Sequence, residues 1–228
     1  MTCRFILFAA ALALLAPEQA RADFHVRSPY EIDLGELEVE HNGAASFDRL
    51  PENRGAQSYT IEFGTGLTSW WHSEIELGFE RSPGFNQSTL VTAAVSENTF
   101  QLTEPGQYFA DFGFYAEYGQ SLTTGRHAGP NEFTFGPLIG KDIGQTSHLL
   151  NLFLTRQLGP NQDNHGQTFS YAWQSRWNLW QPLSPAIEIY GDAGTLGRSP
   201  KLSQQSLRVG PVGVGSMSLR DLGLGNRG

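Results

Sequence analysis

The sequence predicts an all-β fold: an antiparallel, up-and-down transmembrane β-barrel with about ten strands visible. Three observations carry that expectation. Beyond residue 23, apolar and polar residues trade places at every second position, which sets them on opposite faces of strands. Long and short connections alternate between those segments, as they do between the external and periplasmic ends of outer-membrane barrels. The chain also opens on an export leader, and nothing after it approaches the ~20 consecutive apolar residues of a membrane helix.

In the leader, Arg4 precedes an unbroken apolar run over 5–16, and Ala20-Arg21-Ala22 makes a small-x-small cleavage site. Such a run is too short to cross a bilayer as a helix and matches a secretory signal, so residues 1–22 are expected to be removed, leaving 23–228 as one barrel domain. The single cysteine, Cys3, leaves with the leader. The mature chain is therefore expected to lack disulfides, a thiolate nucleophile and Cys-ligated metal. Cys3 also lacks the preceding small residues that a lipid anchor would need.

The whole chain carries a net charge of -8; losing the leader, with Arg4 and Arg21 against Glu18, removes a net +1 and leaves -9. An acidic surface gains no counterion release from phosphates, which argues against nucleic acid as a partner. The 26 glycines, and 12% aromatic within only 39% hydrophobic residues, suit strands that are apolar on one face alone.

The first strand sets Leu37, Val39, His41, Gly43, Ala45 and Phe47 against Glu36, Glu38, Glu40, Asn42, Ala44 and Ser46. Tyr59, Ile61, Phe63 and Leu67 then oppose Ser58, Thr60, Glu62, Gly64 and Thr68, and Ile75, Leu77 and Phe79 oppose Glu74, Glu76, Gly78 and Glu80. A fourth segment, 89–102, changes phase near Asn98 and is expected to hold a bulge there. The fifth places Tyr108, Ala110, Phe112, Phe114, Ala116 and Tyr118 opposite Asp111, Gly113, Tyr115, Glu117 and Gly119.

In the sixth, Phe133, Phe135, Pro137 and Ile139 oppose Glu132, Thr134, Gly136, Gly140 and Asp142, with Pro137 implying a bulge or a lost ladder bond. Leu150, Leu152 and Leu154 face away from Asn151 and Thr155. Phe169, Tyr171, Trp173, Trp177 and Leu179 oppose Ser170, Gln174, Arg176 and Asn178; Ile187 and Ile189 oppose Glu188, Tyr190 and Asp192; Leu207 and Val209 oppose Arg208 and Gly210. The glycine run at 210–215 has no strand-then-helix setting for a phosphate and reads as a bent or fraying strand.

Long connections are expected at 48–56, 81–88, 121–130, 157–167 and 194–204, and short ones at 69–72, 103–106, 144–147 and 181–185. Aromatics gather by the short turns: Trp70 and Trp71, Tyr108, Trp177 and Trp180. Rings at headgroup level produce such a girdle.

ENTFQLT at 97–103, ADFGFYAEY at 110–118, YAWQSR at 171–176 and EIYG at 188–191 resemble segments of Gram-negative outer-membrane β-barrel proteins of the transporter- or porin-like kind, which have no established reaction. The resemblance covers most of the mature chain. It implies an outer-membrane location and a barrel architecture, with lipid and the outer-membrane assembly machinery as expected partners; no cofactor is expected. Such barrels end on an aromatic residue, whereas this chain ends Leu222-Gly223-Leu224-Gly225-Asn226-Arg227-Gly228. A shortening from twelve strands is expected.

The polar face carries Glu36, Glu38, Glu40, Glu62, Glu74, Glu76, Glu80, Asp111, Glu117, Glu132, Asp142, Glu188 and Asp192, with Arg156, Arg176 and Arg208 as its expected bases. In a closed barrel these groups are expected to line an acidic lumen for porin-like passive passage of small solutes, favouring cations, unless they form a hydrogen-bonded plug; a purely structural envelope role is the other expectation. No metal site is expected: Glu36, Glu38 and Glu40 recur ~7 Å apart along one strand, and His41, His72, His127, His148 and His165 show no paired ligand spacing. No enzyme is expected either, because the chain lacks a G-x-S-x-G elbow. Two rival readings are a soluble periplasmic barrel hiding Phe112, Phe114, Phe135 and Trp173 around an apolar ligand, and a lipid-attacking barrel using His127, His148 or His165 with a nearby hydroxyl.

Overall fold

The computed structural model describes residues 4–5, 26–30, 34–35, 37–45, 54–82, 88–124, 128–162, 165–179, 184–198, 200–201, 205–214 and 217–218. The leader apart from Arg4 and Phe5, together with Glu36, His127, Trp180 and the tail 219–228, lies outside these. Regular structure among the described residues is all β. A two-residue ladder pairs β1 (Arg4–Phe5) with β12 (Met217–Ser218).

The remaining ten strands make one antiparallel sheet in sequence order. They are β2 (Leu37–Ala45), β3 (Gln57–Thr68), β4 (Trp71–Arg81), β5 (Thr89–Gln101), β6 (Asp111–Ser121), β7 (Asn131–Ile143), β8 (Thr146–Leu158), β9 (Gln167–Trp177), β10 (Ser184–Thr195) and β11 (Ser206–Val214). The up-and-down order agrees with the expectation. β2 and β11 are not paired with each other, so the sheet is open.

Several local expectations change. The bulge on β5 lies where Gly78 pairs Ala93 and Phe79 pairs Val91, leaving Thr92 as the extra residue, rather than near Asn98. Tyr108 and Ala110 precede β6 instead of opening it. Pro137 interrupts the β7–β8 ladder without shifting it: Phe135 pairs Leu154 and Leu138 pairs Asn151 on the same register. Proline cannot donate, so the ladder lapses locally. Beside it the backbone closes in. A Cβ on Gly136 would stand 1.8 Å from the Leu152 carbonyl oxygen, which requires glycine. β11 continues to Val214, so most of the glycine run is strand.

Turns are short at 69–70 and 144–145, and Gly144 takes a φ of 61°, which glycine adopts without a Cβ clash. The β5–β6 connection, 102–110, is as long as those at the other end and breaks the strict alternation of lengths.

Directly opposed residues in an antiparallel sheet share a face, so register assigns every side chain. One row crosses six strands as Phe112, Ile139, Leu150, Trp173, Ile189 and Val209. On that apolar face Ile75 is 60% and Phe63 49% exposed. The other face carries Glu38, Gly64, Glu74, Glu97 and Glu117 in one row and Glu40, Glu62 and Glu76 in the next. There Glu97 is 2% and Asn151 0% exposed. Polar side chains predominate on the buried face and apolar ones on the exposed face.

The polar face is concave around residues 26–30. Pro29 rests on the bare backbones of Gly113 (β6) and Gly140 (β7): a Cβ there would meet its ring carbons at 3.0 and 3.1 Å. Asn151 on β8 brackets Arg27, accepting its amide proton at 2.8 Å and donating to its carbonyl at 2.9 Å.

Candidate functional site

The inner face is built by alternation, which aims every second side chain of each strand at the concavity. Its acids are packed closely, because direct cross-strand neighbours have Cβ atoms only about 5 Å apart and like charges at that spacing repel. Glu74, Glu97 and Glu117 are such neighbours, as are Glu40, Glu62 and Glu76.

Hydrogen bonds absorb part of this strain. Thr60 Oγ1 donates to Glu62 at 2.8 Å, the Tyr115 hydroxyl to Glu117 at 2.7 Å, and Gln174 Nε2 and the Tyr190 hydroxyl to Glu188 at 2.7 Å each. Gln157 Nε2 reaches Glu132 at 3.4 Å. Asp111 accepts the Gly106 amide at 2.6 Å and the Tyr30 hydroxyl. Burial, then the hydrogen bond and charge of Asp111, raise the Tyr30 phenol well above its ordinary value near 10.

Arg27 supplies the cation that enters this face. Its guanidinium lies 2.5 Å from Glu97 and 3.7 Å from Glu74, and stacks 4.4 Å from the Tyr115 ring centroid. A buried pair of this kind holds its partners firmly, since removing one leaves the other charged in a low dielectric. Arg27 was not among the expected bases. It precedes the first alternating strand, and no periodic signal marks it.

Among the expected residues, Glu38, Glu40, Glu62, Glu76, Asp111, Glu117, Glu132 and Glu188 all lie on the inner register. Arg176 and Arg208 share that face, opposite Ala186 and Tyr190, and Arg176 Nε donates to Asn178 at 2.9 Å. Arg156 is a correction. It pairs with Phe133 and Gln167, and so belongs to the outer face with Leu150, Leu152 and Leu154. Its parity with those leucines was readable in the sequence.

The girdle aromatics that are described gather at one end of the sheet. Trp70 and Trp71 stack with Phe100 at centroid distances of 5.9–6.4 Å. Trp71 Nε1 also donates to Asn98 at 2.9 Å. Tyr108 and Phe109 in the 102–110 connection, and Trp177 at the end of β9, are exposed at the same end. Beyond this rim, Phe114, Phe135, Pro137, Leu152, Leu154 and Phe169 line an apolar hollow of about 290 Å³ on the outer face.

His148 is a strand residue rather than a loop one, and its Nδ1 lies 3.0 Å from Ser175 Oγ on the outer face. Its Nε2 meets the Thr146 hydroxyl at 3.0 Å, where a triad would place a carboxylate or amide. His72 has no paired ligand spacing along the sequence. Register instead brings it, with Glu74 of its own strand β4, near Glu38 of β2 across the intervening β3.

No protein-family model, curated protein or solved structure matches this chain.

Proposed function

We propose that this chain is an outer-membrane β-barrel whose acidic bore is plugged at rest by its own residues 26–30 and passes small cations when that segment is displaced. The supporting observation is the inversion of its faces: Ile75 and Phe63 are exposed on the convex side while Glu62, Glu74, Glu97 and Asn151 are buried on the concave one. In water such an arrangement leaves large apolar area wet and carboxylates desolvated. Lipid outside and a polar interior reverse both costs.

Lipid cannot satisfy open strand edges, so the membrane form closes its β2 and β11 edges, directly or through further strands. With ten strands these edges run antiparallel, which permits direct pairing. The soluble alternative needs Phe114 inside, and Phe114 lies on the exposed face. The aromatic rim at the short-turn end supports a headgroup boundary there.

Inside, carboxylates outnumber Arg27, Arg176 and Arg208, so the bore attracts cations. The test is heat-modifiable migration of the membrane fraction, followed by planar-bilayer conductance under a salt gradient. The wild-type chain is expected to conduct weakly and to prefer cations, and Arg27→Ala to raise its conductance severalfold. Anion preference, or an Arg27→Ala chain as closed as the parent, refutes the proposal.

A further inference from the structure

We infer that Glu38, His72 and Glu74 form a divalent transition-metal site on the inner face, near the short-turn end of β2, β3 and β4. Glu38, Gly64 and Glu74 lie in one cross-strand row, and His72 stands two residues before Glu74 opposite Gly66. Two glycines therefore occupy the middle strand between the three side chains. A Cβ on Gly64 would stand 2.7 Å from Glu74 Cγ, 2.8 Å from Glu74 Oε1 and 3.0 Å from His72 Cε1. Its absence is what lets Glu74 and His72 lean across β3 towards Glu38.

One ligand atom from each residue lies within 4.8 Å of the other two, and His72 Nε2 is 4.0 Å from Glu38 Oε2. An ion with bonds of about 2.1 Å in tetrahedral geometry holds its ligands about 3.4 Å apart. Side-chain rotation of about 1 Å closes that gap. His72 and Glu74 are both more than nine-tenths buried, so the set is held by packing rather than by solvent-exposed carboxylates.

An imidazole with two carboxylates suits zinc, manganese or ferrous iron, whereas magnesium and calcium favour oxygen alone. A fourth position remains for water. Charge points the same way. Ionised Glu38, Glu74 and Glu97 carry three negative charges, of which the Arg27 guanidinium offsets one. The inference rests on the register of β2–β4 and stands whether or not the barrel conducts.

The test is calorimetric titration of untagged full-length protein in detergent micelles with Zn²⁺, with Ca²⁺ and Mg²⁺ as comparators and Co²⁺ visible absorption as a report on geometry. One Zn²⁺ per chain is expected, bound at least tenfold more tightly than Ca²⁺. His72→Gln and Glu38→Gln each weaken it tenfold or more. Gly64→Ala does so without removing a ligand, and Glu76→Gln on the same face leaves affinity within twofold. Heat-modifiable migration reports folding of each variant; if Gly64→Ala does not fold, the two ligand variants decide. Absence of stoichiometric Zn²⁺ binding, or undiminished binding in folded His72→Gln, overturns the inference, while conductance is read separately.

Discussion

Replacing Ile75 with arginine separates a lipid-facing sheet from a water-facing one. Ile75 is four residues past Trp71, the aromatic start of β4. A rise of about 3.4 Å per residue and a strand tilt of about 40° put it roughly 10 Å from the rim of an apolar band about 25 Å tall. That is within a few ångströms of the midplane, where an arginine on the lipid face costs about 2–4 kcal/mol. The folding equilibrium should fall by roughly 30- to 700-fold. In water the same change at a 60% exposed position costs at most about 0.5 kcal/mol. Leu67→Arg is the control: it is also outward, but one residue from the end of β3, so it should cost about 0–1 kcal/mol. Urea unfolding of vesicle-inserted protein, followed by tryptophan fluorescence, measures both. A cost below about 0.5 kcal/mol for Ile75→Arg refutes the lipid-facing assignment.

Two further predictions follow from close contacts on the inner face. Gly136→Ala forces a Cβ onto the Leu152 carbonyl and should destabilise the β7–β8 pairing by about 2–3 kcal/mol in the same titration; a cost under about 0.5 kcal/mol would mean the strands are not so close. The raised Tyr30 phenol sets the sign of a pH effect: its contribution to docking of residues 26–30 is complete below the unfolded value near 10 and is lost as pH rises through the higher folded value. Protease access to Arg27 should therefore be flat from pH 6 to 9 and increase above 10, and Tyr30→Phe should abolish that alkaline increase.

Period-two alternation sufficed for the ten strands of the sheet and for the side on which their described acids lie, because a strand's geometry is local and side chains alternate except where a bulge such as Thr92 adds a residue. Glu38, Glu62, Glu117 and Glu188 could be assigned to one face that way, and Arg156 could have been excluded from it. What no local pattern carries is which residues of different strands stand side by side. The seating of Arg27 between Glu97 and Tyr115, and the gathering of Glu38, His72 and Glu74 over Gly64, depend on register and on the curl of the sheet. Both are set by contacts between residues tens of positions apart. The sequence alone thus determined a two-faced meander of strands; tertiary structure decided what fills its concave side, because the cation that docks there lies outside every repeating segment and is recognised only by side chains that folding brings together.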